Sequence, residues 1–141
     1  MSISLLQRQF VRDRAGHCCE YCRLLHSGST APFHVDHIIP LKHDGSNDDS
    51  NLCLACFECN AHKSHDLTGF DPATGAVTRL YHPRKQRWSD HFELGGDMQI
   101  TGLTPEGRTT VRVLQINHED RVEMRQVLAE VGEYPCPAHD D

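Results

Sequence analysis

The chain has 141 residues, 38% hydrophobic, 24% charged and only 6% aromatic, which suits one compact domain with a thin core and excludes a large multidomain enzyme. Its net charge of −6 has the wrong sign for gripping nucleic acid by bulk electrostatics, so any phosphate contact must come from a local cluster. Seven cysteines and eleven histidines offer a staple for that thin core.

The first residues lack the basic start and apolar run of a secretion signal, and no stretch approaches the roughly 20 apolar residues of a membrane span. The expectation is a soluble, cytoplasmic chain without a membrane partner. In such a reducing compartment, an odd cysteine count argues for metal thiolates over a disulfide framework.

Residues 3–15 place Ile3, Leu6, Phe10 and Val11 at helical spacings, with Gly16 as a stop, and predict an amphipathic packing helix. Cys19-Glu20-Tyr21-Cys22 follows as a tight turn. Residues 33–41 (FHVDHIIPL) are β-prone, the turn-rich KHDGSNDDS comes next, and 51–55 (NLCLA) reads as the returning strand of a hairpin. Residues 56–63 (CFECNAHK), free of Gly and Pro, then turn into a helix. Beyond Asp66, Gly and Pro punctuate short β-prone runs at 76–81 and 98–100. Thr104 and Pro105 cap and start one helix, and Asn117 caps another through about Val131. The tail from Gly132, with Pro135 and Pro137, is expected to fray.

Cys19/Cys22 and Cys56/Cys59 form two CxxC pairs flanking the hairpin. A CxxC turn aims two thiolates at one ion, and two such turns complete the tetrahedron of a closed, structural zinc site. Cys53 and Cys56 also read as CxxC, and Cys18 adjoins Cys19, so the register has alternatives. The preferred ligands are Cys19, Cys22, Cys56 and Cys59, with Cys53 a buried small apolar residue and Cys136 a free thiol.

The ordered run CEYC, VDHIIPL, a Gly45-containing loop, Asn51-Leu52, then CFECNAHK resembles the HNH endonuclease motif, also called the ββα-metal or His-Me finger, over residues 19–63. That resemblance implies an α+β fold: a ββα-metal HNH core stapled by a four-cysteine zinc site, with an N-terminal helix and a small mixed C-terminal extension. It also implies hydrolysis of DNA phosphodiesters, leaving a 5′-phosphate and a 3′-hydroxyl. A histidine deprotonates water for in-line attack, and one divalent metal, Mg²⁺ or Mn²⁺, bridges the phosphate and stabilises the leaving oxygen. By position, His37 carries over as general base, Asp36 as metal ligand, Asn60 as the helix-borne second ligand, and Asn51 as the residue that ties the loop and orients the histidine. His62 ranks behind Asn60 as a ligand. These types suit the chemistry: histidine titrates near neutrality, and oxygen donors suit a hard ion. Asp36 and His37 are sequence neighbours, so a bulge or local twist is needed to bring both to one metal.

Lys63 is a candidate phosphate contact, as are Arg79, Arg84, Lys85 and Arg87, which cluster beside Tyr81 and Trp88. Trp88 and Phe92, four apart, are assigned to the core of the C-terminal lobe, and His43 and His65 to the surface. The expected organisation is a nuclease core with its zinc site at 1–66, an α+β extension at 67–131 and a flexible tail at 132–141. The competing function is a non-catalytic, zinc-organised module that binds nucleic acid or a protein. A third, a zinc oxidoreductase, would need redox-active Cys18 or Cys53. An additional protein partner and the oligomeric state are left open.

Overall fold

A computed structural model describes residues 2–137. Within them, five α-helices and three two-stranded antiparallel sheets make an α+β fold. Helix α1 (Leu5–Arg14) starts where the Ser4 side chain accepts from the Gln7 backbone N–H, and ends in a turn through Gly16, whose φ of 62° is left-handed. Its inward face is narrower than the spacing predicts. Val11 and Ala15 are covered, with Ile3 from the preceding segment, whereas Leu6 is 84% and Phe10 47% exposed.

Strand β1 (His34–His37) pairs with β2 (Leu52–Ala55) in unbroken register from His34 opposite Ala55 to His37 opposite Leu52. Every residue of β2 is buried, because α1 packs on one side and the cysteine turns on the other. The chain then turns directly into α2 (Phe57–Lys63), capped by the Cys56 sulfur, which accepts from the Cys59 N–H. This is the expected strand, strand, helix order.

The second half starts with a hairpin, β3 (Thr68–Phe70) and β4 (Val77–Arg79), followed by a short helix α3 (Trp88–His91). A last hairpin, β5 (Phe92–Leu94) and β6 (Ile100–Gly102), then leads to α4 (Pro105–Val113), capped as expected by Thr104. Helix α5 (Glu119–Glu130) is capped by His118, not Asn117. Asn117 instead accepts from the Ile100 N–H and donates to the Ile100 carbonyl, so its amide acts as an extra partner for β6. Elements β3, α3 and β5 are too short to leave a periodicity in the sequence.

One core runs through both halves. The Trp88 indole N–H donates to the Tyr21 carbonyl at 2.8 Å, and Trp88, Phe92 and Tyr81 stack edge-on or tilted beside Tyr21. The core roles expected of Trp88 and Phe92 hold.

The tail departs from expectation. Cys136 is not a free thiol: it forms a disulfide with Cys18, and Tyr134 and Cys136 are buried, with the Tyr134 hydroxyl donating to the Cys22 carbonyl at 2.7 Å. Residues 134–136 are therefore anchored, not frayed; positions 138–141 of the expected tail lie outside the described residues. A bridge spanning 118 positions leaves no local trace in the sequence. None of the helices among the described residues is long and apolar enough to cross a membrane.

Candidate metal centre and hydrolytic site

The two CxxC turns are alike. In each, the second cysteine's backbone N–H points at the first cysteine's sulfur, at 3.4 Å for Cys22 to Cys19 and 3.4 Å for Cys59 to Cys56. The first turn docks on β2 through Glu20, whose N–H donates to the Leu54 carbonyl and whose carboxylate accepts from the Leu54 N–H. The four sulfurs lie within 4.8 Å of one another, all buried, with Cys22 and Cys56 3.7 Å apart. A tetrahedron with about 2.3 Å metal–sulfur bonds has edges of about 3.8 Å, so the set fits zinc and leaves no open position. Hydrogen bonds from Cys19 and Cys56 hold the Cys22 thiol below the ordinary range. Those with Cys19 and Cys22 push Cys56 up, and burial pushes Cys59 up. Only a cation at the centre would let all four sulfurs be thiolates at once.

One cation is supplied by the chain. Arg121, on α5, reaches the cluster and donates to the Cys59 sulfur at 2.9 Å and the Cys56 sulfur at 3.7 Å. Burial works against its charge, but the neighbouring Cys59, Cys22 and Cys56 sulfurs hold its pKa above the ordinary arginine value. Sequence reasoning missed Arg121, because 62 residues separate it from Cys59.

Cys53 stays outside the cluster. It is fully buried, and burial together with the Asp36 charge pushes its thiol up, so it serves as a packed neutral group. With Cys18 in a disulfide and Cys53 held protonated, neither has the low-pKa, exposed setting of a redox-active thiol.

At the other end of the hairpin stand the residues expected to do chemistry. His37 is half-buried, and its Nε2 lies 2.7 Å from Asn47 Oδ1. An amide oxygen only accepts, so Nε2 is the donor in this contact, and in the neutral ring Nδ1 is then the basic nitrogen. The ring is thus oriented by Asn47 rather than by Asn51, as the resemblance implied. Asn51 does tie the loop: its Oδ1 accepts from the Ile39 N–H at 2.8 Å, and its Nδ2 donates to the carbonyls of Ile39 and Ser46. The loop closes so tightly that a Cβ on Gly45 would sit 1.7 Å from the Ile39 carbonyl oxygen, which accounts for glycine there. Helix α1 clamps the same loop, with the Gln7 side chain donating to the Asn47 carbonyl and Asp49, and Arg14 to the carbonyls of Asp49 and Leu52.

No bulge interrupts β1, so Asp36 and His37 point to opposite sides. Asp36 faces inward, 5% exposed. Its Oδ2 accepts from the Tyr21 hydroxyl at 2.9 Å, with the Cys53 thiol at 3.6 Å. Burial and Asp36 itself push Tyr21 up, which keeps that hydroxyl protonated as a donor. Lys63, the last residue of α2, is 1% exposed, and its Nζ lies 3.2 Å from Asp36 Oδ2, 3.4 Å from Oδ1 and 3.0 Å from the His37 carbonyl. It is therefore not a solvent-facing phosphate contact. Asn60, one helical turn before Lys63, lies on the same side of α2 and is half-buried. His62 is exposed two residues on, about 200° round the helix from Asn60, and is not brought to the site. A carboxylate and an amide oxygen are donors that a hard divalent ion accepts, and the Lys63 ammonium group sits against Asp36 from the α2 side.

The expected basic cluster is divided. Arg84 is spent on an ion pair with Glu20. Arg79 and Lys85 are exposed on a groove of about 520 Å³ that also includes Lys63, Ile38 and Ile39. Arg87 is exposed on a separate cavity of about 350 Å³, with Arg14, Arg23 and Trp88. The Arg23 guanidinium sits 4.9 Å over the Trp88 ring. As expected, His43 and His65 are exposed, the former bonding to the latter's carbonyl.

Comparison with known proteins agrees with this geometry over part of the chain. Residues 19–66, about a third of the sequence, match the family model described as HNH endonuclease. Searches of curated proteins and of solved structures found no match. The matched span, which is similar to an HNH endonuclease domain, holds both cysteine turns, the hairpin and α2, with four cysteines positioned to form a zinc site.

Proposed function

We propose that the protein is a metal-dependent endonuclease that hydrolyses DNA phosphodiester bonds, with His37 as general base. The observation that carries this reading is the His37–Asn47 contact. It fixes the half-buried His37 ring at the end of β1 by engaging Nε2, which leaves Nδ1 as the nitrogen available to take a proton, beside a loop tied by Asn51 and α1. His37 Nδ1 takes a proton from the attacking water, and the water oxygen forms the new bond to phosphorus as the 3′-oxygen leaves. Asp36 and Asn60 would hold the ion, Mg²⁺ or Mn²⁺; with no bulge in β1, His37 leaves the strand on the opposite side from Asp36 and serves as base, not as a ligand. When bound, that ion supplies charge stabilisation for the phosphate and the leaving oxygen. Arg79 and Lys85 on the groove, and Arg87 beyond it, contact backbone phosphates, offsetting locally an acidic chain. The assignment of residues 1–66 as the nuclease core and 67–131 as an extension belongs to the same proposal.

A second reading, a zinc-organised binding module without chemistry, draws support from one observation: Lys63 already satisfies Asp36 without any ion. Supercoiled plasmid separates the two. Zinc-loaded protein with added Mg²⁺ or Mn²⁺ should nick or linearise it and lose that activity when the added metal is left out. Binding without cleavage, across DNA and RNA substrates and both metals, would favour the module.

A further inference from the structure

Lys63 has a burial that its position does not explain. It is the terminal residue of α2, where a lysine ordinarily extends into water, yet it is 1% exposed and aimed at Asp36 and the His37 carbonyl. A buried ammonium group is costly unless paired, and so is a buried carboxylate. The pair is complete as it stands: Asp36 accepts from Tyr21 and Lys63, with Cys53 nearby, and needs no further charge. A divalent ion arriving at Asp36 would meet a like charge at hydrogen-bonding distance from the same oxygens.

We propose that Lys63 is a built-in counter-cation for Asp36, so that loading of the divalent ion is an exchange of one cation for another and Lys63 sets how tightly the ion is held. The inference rests on the reading of Asp36 as a metal ligand. The displaced ammonium group has somewhere to go. Lys63 lines the groove of about 520 Å³ that also carries Arg79 and Lys85, with the carboxylates of Asp66 and Glu106 on its wall. Its four-carbon stem lets the head move while α2 stays in place. Metal loading would therefore deliver a positive charge into the groove where substrate phosphate is proposed to lie.

The test measures Mn²⁺ affinity and thermal midpoint on zinc-loaded protein for wild type, Lys63→Met, Asp36→Asn and the double variant. Lys63→Met strands a buried carboxylate and is expected to lower the midpoint by about 10 °C in buffer without divalent ions. It should recover on adding Mn²⁺ or Mg²⁺ and bind Mn²⁺ at least about tenfold tighter than wild type. The double variant should be insensitive to the ion. Unchanged or weaker Mn²⁺ binding in Lys63→Met, still dependent on Asp36, would overturn the exchange and leave the ligand reading standing. Binding that ignores Asp36→Asn in wild type would overturn the ligand reading, and the exchange with it. Should Lys63→Met fail to fold, the unmodified protein provides the answer. Its three lysines are Lys42, Lys63 and Lys85, and with Mn²⁺ bound, amine labelling followed by mass spectrometry should rise at Lys63 and stay constant at exposed Lys42 and Lys85. Continued protection of Lys63 at saturating Mn²⁺ would also overturn the proposal.

Discussion

The two ends of the β1–β2 hairpin face the same physical problem, buried negative charge, and resolve it differently. At the end formed by the two CxxC turns, the knuckle, four buried thiols share a space that one metal ion fits, with Arg121 as the chain's own positive group beside them. At the Asp36 end, the carboxylate is already paired with Lys63 and hydrogen-bonded by the neutral Tyr21 hydroxyl. One end is unfinished without its metal, whereas the other is closed without one. On the proposed reading, metal dependence of folding and metal dependence of chemistry would be separate properties, carried by different residues at the two ends of the hairpin.

The strongest way to break that contrast is to remove the zinc. Chelation, or Cys59→Ala, should unfold the hairpin and α2, because structural zinc contributes about 10 kcal/mol or more to such sites, comparable to the whole stability of a domain. Loss of far-ultraviolet circular dichroism on zinc removal is the expected outcome. Retention of native spectra would mean that the knuckle, too, is self-sufficient. Next in size is the tail: Cys136→Ser opens the link to Cys18 and should cost about 2–4 kcal/mol in denaturant unfolding, with the zinc content unchanged. Arg121→Ala should lower zinc affinity about 10- to 100-fold, as loss of an outer hydrogen bond to a ligand does, measured by competition with a chromophoric chelator. On the hydrolytic side, Asn47→Ala should slow cleavage about tenfold or more by freeing the His37 ring, leaving stability nearly unchanged. The smallest effect concerns His82, whose Nδ1 accepts from the Arg84 and Lys85 N–H groups. Burial and the nearby charges of Lys85, Arg79 and Lys63 hold its pKa below the ordinary 6.5. The unfolded chain therefore takes up this proton first, and stability falls as pH drops below 6.5. His82→Asn keeps an acceptor and should flatten that slope slightly in melts between pH 7 and pH 5.

The same contrast explains what could be read from the sequence. Cys19, Cys22, Cys56 and Cys59 were legible because paired thiols at fixed spacing make one geometric statement, and the hairpin because its strands and turn are contiguous. The loop tie by Asn51 was legible through the family motif. Arg121, Asn47, the Cys18–Cys136 bridge and the inward turn of Lys63 were not. Each depends on which way a side chain leaves an element or on contacts between distant segments, and neither follows from local pattern. Arg84 shows the opposite error. A basic run looked like a phosphate-binding surface, but one of its members was needed to neutralise Glu20 inside the fold.

Whether His37 is the general base is decided by the initial rate of supercoiled-plasmid cleavage by wild type and His37→Ala, at equal zinc content and saturating Mg²⁺ or Mn²⁺. Loss of the general base should lower the rate about 100-fold or more. Equal rates in the two proteins would contradict that role.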